Sequence, residues 1–148
     1  MEETRSAFHT VVESLTDADW QRKTSSTAWT IGEVLTHLAD ALAGTPEAIE
    51  HVRLGKNYLN PPSFLSWLGP LINRRLVKQS ARSQTRVSIL ARYDKAHTVM
   101  VATVEGIQDD EWGRGAHCFG AGYKTILDLC QTLPSHFQEH AAQIGASR

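Results

Sequence analysis

Apolar side chains in this chain cluster almost everywhere at helical spacing. Phe8, Val11, Val12 and Leu15 fall at i, i+3, i+4 and i+7, which predicts a first helix ending near Thr16 and Asp17. Ile31, Val34, Leu35, Leu38 and Leu42 form the inward stripe of a second. Thr30 and Glu33 open it at the spacing of a capping box, in which each side chain takes up an orphan backbone donor of the first turn. Gly44-Thr45-Pro46-Glu47 predicts a break, because Thr45 can cap and Pro46 suits the first position of a new helix. A further turn or two follows through Ile49, Val52 and Leu54. Lys56 to Ser63, with Pro61 and Pro62, reads as a loop, Phe64 to Lys78 as a short helix and Ser83 to Ile107 as a long one. Two faces of that long helix compete for the core: Val87, Leu90, Val101 and Val104, which share a stripe with Asp94 and His97, and the favoured Ile89, Tyr93, Ala96 and Met100. Thr125 and Asp128 repeat the capping box and start a last helix, which carries Leu129, Leu133 and Ile144 inward and is expected to kink at Pro134. No run alternates as a half-buried strand would. Four main helices of this length predict an all-α four-helix bundle.

The pattern carries an internal echo. Asp19-Trp20 precedes the second helix by a loop, and Glu111-Trp112 precedes the last one in the same way. Each loop then reaches an aromatic residue, Trp29 or Tyr123, just ahead of its Thr-x-x-acid cap. The echo marks these two helices as equivalent elements of the bundle.

Composition narrows the class. A chain of 148 residues suits a single domain, here 1–148, that buries roughly two thirds of its unfolded surface. With 41% hydrophobic and 21% charged residues it is an ordinary globular chain, not a disordered one. A formal net charge of −1 gives no global drive toward nucleic acid or membrane. Cys118 and Cys130 stand in no Cys-x-x-Cys arrangement, which points away from a disulfide framework or a cysteine zinc site. The start Met-Glu-Glu-Thr-Arg lacks a signal-peptide pattern, and no run of about 18 apolar residues exists, so a cytoplasmic protein is expected.

Candidate chemistry rests on histidine. His136 and His140 are four residues apart and therefore share one helix face, roughly 40° apart, with Leu129, Leu133 and Ile144 as neighbours. Two imidazoles so placed can grip one divalent metal. A third from another helix, for which His37 in Thr36-His37-Leu38 is the candidate, gives a three-nitrogen site with a position left open. Nitrogen-only ligation suits zinc, nickel, copper or ferrous iron. His136-Phe-Gln-Glu-His140 also matches the His-x-x-Glu-His motif of one metalloprotease group, in which the glutamate is the base. That reading lacks the further downstream carboxylate such enzymes need, and Glu139 reads as a solvated surface residue. Asp94 and His97 could orient a ligand imidazole, but the Ile89 to Met100 face leaves them at its edge. His9, His51 and His117 follow no pattern and are expected at the surface. Cys118, in the glycine-rich stretch from Gly113 to Gly122, reads as a free loop cysteine.

Residues 71 to 95 hold Arg74, Arg75, Lys78, Arg82, Arg86, Arg92 and Lys95 against a single acid, Asp94, in a nearly neutral protein. This is either a solvated helix face or a docking surface for an anionic cosubstrate. Nucleic acid is a weaker reading, since no aromatic interleaving accompanies the charge.

The residues that lead and end this pattern resemble the DinB/YfiT-like family of metal-dependent four-helix bundles. They are Trp29-Thr30 before the second helix, His37-Leu38 two turns in, Thr125 opening the last helix, and His136-x-x-x-His140 followed by Gln143-Ile144. The resemblance covers most of the chain, with Lys56 to Ser83 generic. It implies an up-down-down-up bundle with a long crossover and a metal triad at His37, His136 and His140 holding nickel, zinc or iron. It also implies a small-molecule substrate and a low-molecular-weight thiol cosubstrate, since the family includes isomerases and S-transferases that use mycothiol or bacillithiol. The leading expectation is a metal-dependent, thiol-using transferase or isomerase. The alternatives are a metal-dependent hydrolase, a ligand-binding module, or a non-catalytic bundle stabilised by metal, the last including a homodimer.

Overall fold

The computed structural model describes residues 1–24, 29–57, 69–118 and 122–147. Within them the chain forms α1 (Glu2–Glu13), α2 (Asp17–Gln21), α3 (Ile31–Arg53), α4 (Gly69–Ala81), α5 (Arg86–Glu105), β1 (Gly115–Cys118), β2 (Gly122–Thr125) and α6 (Ile126–Ala146). α3 packs against α4, α5 and α6, and α1 closes over α5 and α6. The core joins Phe8 and Val12 from α1, Ile31 to Leu42 from α3, Ile89, Tyr93, Ala96 and Met100 from α5, and Ile126, Phe137 and Ile144 from α6, where the expected Leu129 and Leu133 are only half-buried. Phe8 lies at its centre, stacked on Tyr93 at a ring separation of 3.9 Å and tilted against Phe137 at 6.3 Å.

Both Thr-x-x-acid caps form. Thr30 Oγ1 accepts from the Glu33 amide at 3.2 Å while the Glu33 carboxylate accepts from the Thr30 amide at 2.9 Å. Thr125 and Asp128 repeat this at 3.1 and 2.9 Å. The echo continues into the backbone. The amide of Ile31 donates to the carbonyl of Arg22, and that of Ile126 to the carbonyl of Arg114. Each of these arginines pairs with the acid three residues before it, Asp19 or Glu111. Both helices thus leave equivalent loops with the same anchors.

Three expectations are corrected. The first helix stops at Glu13, and a separate short helix, α2, follows with its own capping box of Thr16 and Asp19. The Gly44-Thr45-Pro46 sequence does not break α3, which runs through Pro46 to Arg53. Proline removes one backbone donor, but Ala48, Ile49 and Val52 continue the buried face, and their burial outweighs the lost bond. α6 runs as one helix with Pro134 inside it, as expected. The stretch read as a glycine-rich loop holds an antiparallel hairpin, Gly115 opposite Thr125 and Cys118 opposite Gly122, with Gly122 at φ 73° where only glycine sits freely. The Pro61-Pro62 loop from 58 onward and the start of the expected helix at Phe64 lie outside the described residues. Among the described residues no helix is long and apolar enough to cross a membrane.

Candidate metal centre

α3 and α6 carry the three imidazoles to one point. His37 lies two turns beyond the Thr30 cap, and its helix is held from behind by the buried Val34, Leu35, Leu38 and Ala39. His136 and His140 are anchored on α6 by the buried Phe137 and Ile144 beside them. His37 Nε2 lies 3.2 Å from His136 Nε2, which in turn lies 3.0 Å from His140 Nε2. All three nitrogens fall within 4.8 Å of one another, although His37 and His136 are 99 residues apart in sequence. Tetrahedral ligation at zinc–nitrogen distances near 2.05 Å sets neighbouring nitrogens about 3.3 Å apart, so the donor set fits one divalent ion. The rings meet edge to face, with centroids 4.7 to 5.4 Å apart.

The surroundings favour the neutral form of His37 and His136, the form that binds metal. Partial burial, followed by the nearness of His136 and His140, pushes His37 down from 6.5 to about 4. Burial and then His140 lower His136, with Glu139 opposing. The indole of Trp29 packs on His37 at a ring separation of 5.0 Å and forms an apolar wall on that side. On the far side of His140, its Nδ1–H donates to Gln143 Oε1 at 2.9 Å.

The remaining candidates fall elsewhere. Glu139 is exposed, as the sequence suggested. Asp94 accepts from Arg5 Nε at 2.7 Å and from His9 Nε2 at 2.8 Å, which fixes it on the α1–α5 seam. His9 is therefore not a surface residue but half of a hydrogen bond that joins two helices. No sequence pattern could reveal it, because its partner is 85 positions away. His97 is buried on the same seam with its Nε2 3.6 Å from Glu2. Cys118 is buried in β1, and burial raises its thiol pKa, which leaves it a poor nucleophile. Of the basic segment, Arg86 pairs with Asp17 and donates to the carbonyl of Leu15, and Arg92 pairs with Asp40. Arg74, Arg75 and Arg82 are exposed and Lys78 is half-buried, with no ion-pair partner among the described residues.

A helical fold that brings three imidazoles together defines a class of helical proteins with a candidate histidine metal centre. Within it, the chain belongs to the DinB superfamily, whose family model matches residues 1–144. Among solved structures it is similar in fold to the mycothiol-dependent maleylpyruvate isomerase, with a TM-score of 0.77 at 10% identity. A histidine-to-alanine mutant of that isomerase superposes with a TM-score of 0.75, also at 10% identity. The match covers 97% of this chain and 57% of the isomerase, so this chain spans little more than half the length of the isomerase. No curated protein matches the sequence.

Proposed function

We propose that this protein is a divalent-metal-dependent enzyme that uses a low-molecular-weight thiol in a transferase or isomerase reaction, with His37, His136 and His140 as the ligands. The carrying observation is the convergence of three Nε2 atoms from two helices at separations that suit one ion. In this reading α1, α3, α5 and α6 form one up-down-down-up bundle over the whole chain. The likeness in fold to a mycothiol-dependent enzyme favours thiol chemistry over the other uses of such a site.

The residues divide the work by position. His136 and His140 supply the local pair of donors, and His37 closes the set from the facing helix. Nickel, zinc or iron held by three neutral donors keeps its full charge, which acidifies a bound thiol or water. Trp29 shields His37 from solvent and gives a small-molecule substrate an apolar surface. Glu139, exposed on α6, is not assigned as a base. Arg74, Arg75, Lys78 and Arg82 form the cationic patch that would steer an anionic thiol.

Elemental analysis of protein purified without a metal-affinity tag tests the ligand set. About one divalent ion per chain is expected, and none in the His136→Ala, His140→Ala double variant. Cobalt-loaded protein titrated with mycothiol, bacillithiol, glutathione and coenzyme A then tests the reaction class. A thiolate charge-transfer band is expected with at least one of them. Glutamate at positions 74 and 82 should weaken it in a salt-dependent way. A metal site indifferent to every thiol would leave a hydrolase or a non-catalytic bundle.

A further inference from the structure

The three donors are not held alike. His140 has a hydrogen-bond acceptor on the nitrogen that faces away from the cluster, Gln143 Oε1 at 2.9 Å from Nδ1. Among the described residues, neither His37 nor His136 has such a partner at Nδ1. An amide oxygen accepts and cannot donate, so this contact requires the proton on Nδ1 and leaves the lone pair on Nε2. Gln143 is one turn beyond His140 on the same helix, half-buried, and its own backbone carbonyl accepts from Ser147 Oγ at 2.7 Å. Ile144, 2% exposed, fixes the rotation of that turn against the core.

We infer that Gln143 is the positioning residue of this centre: it commits His140 to the tautomer whose Nε2 faces His37 and His136 with a free lone pair. The inference rests on the metal-site reading above and adds an order to it. His140 is a ready donor before any ion arrives. His136, whose Nε2 lies within hydrogen-bond distance of both other rings, keeps its single ring proton on Nε2 and would have to move it to Nδ1 to join the donor set. A neutral acceptor orients the ring without adding the negative charge that a carboxylate would bring to the site.

Long-range 15N–1H NMR of metal-free protein labelled at histidine, at pH 8, reads the tautomers directly. His140 should be held as Nδ1–H in the wild type and become a mixture in Gln143→Leu. Zinc affinity, measured by competition with a chromophoric chelator, should fall about 10- to 100-fold in that variant. Gln143→Glu keeps the acceptor and should retain both the tautomer and wild-type or tighter affinity. An unchanged His140 tautomer in Gln143→Leu overturns the inference, whether or not metal binds. Equal loss of affinity in Gln143→Glu and Gln143→Leu also overturns it, because shape rather than the acceptor would then matter. A wild-type protein that takes up no zinc, yet shows the tautomer shift in Gln143→Leu, would instead overturn the metal-site reading and leave the hydrogen-bond role in place.

Discussion

At the residue scale, burial sets the electrostatics of the candidate centre. His37 is held neutral well below the ordinary imidazole range, first by burial and then by its two histidine neighbours. Its folded value, about 4, lies below its unfolded one, so between roughly pH 6.5 and 4 the unfolded chain binds the extra proton. The stability this residue contributes is complete above pH 6.5 and is lost as pH falls toward 4. Thermal melts of metal-free protein across that window should show a steeper decline for the wild type than for His37→Gln. Asp94 titrates lower. Arg5, and after it His9, hold its carboxyl below the ordinary range despite some opposing desolvation. Its contribution is therefore present above about pH 4 and disappears as pH falls through the lower folded value. Asp94→Asn at pH 7 should cost about 1 kcal/mol, a shift in Tm of roughly 2–4 °C, and the difference should close at acid pH. Little of the α1–α5 seam was legible in advance. The capping boxes act over three residues and can be read off, whereas the meeting of His9 with Asp94 depends on how two helices dock. The His136 and His140 pair declares itself by spacing. His37 borders its apolar stripe, so spacing alone does not mark it and the family resemblance does.

At the element scale, α3 owes its position to a close approach. A Cβ on Gly32 would lie 2.4 Å from Cε2 of Trp20, a ring only 8% exposed and packed into the core. Helix propensity alone favours alanine there by up to about 1 kcal/mol, but the indole has nowhere to go. Gly32→Ala should therefore destabilise by about 1–3 kcal/mol in urea unfolding. Gly115 is a useful contrast. A Cβ there would meet the Tyr123 ring at 2.6 Å, but that ring is 58% exposed and can swing away, so Gly115→Ala should change stability far less. The element boundaries are also set at this scale. The turn signals at Gly44-Thr45-Pro46 were genuine, and Thr45 Oγ1 bonds back to the carbonyl of Ala41, but the apolar face on either side kept the helix whole. The hairpin gave no signal because its strands are four residues long and gain their order from each other.

At the scale of the whole molecule, the centre ties the first half of the chain to the last. On the proposed function, zinc at about 100 times its dissociation constant should add roughly 2.7 kcal/mol of stability. That is a rise in Tm on the order of 5–10 °C by differential scanning fluorimetry, and most of it should vanish in His37→Ala. The 99-residue gap between His37 and His136 also gives the chain a sequence of events. In the unfolded ensemble an ion finds at most the neighbouring pair on nascent α6, since bringing His37 to it means closing a long loop against chain entropy. Full chelation therefore arrives only with the docking of α3 on α6, among the highest contact-order pairings in the molecule. The metal centre would serve as a latch that registers completed assembly, and prying those two helices apart would be the route by which the ion leaves.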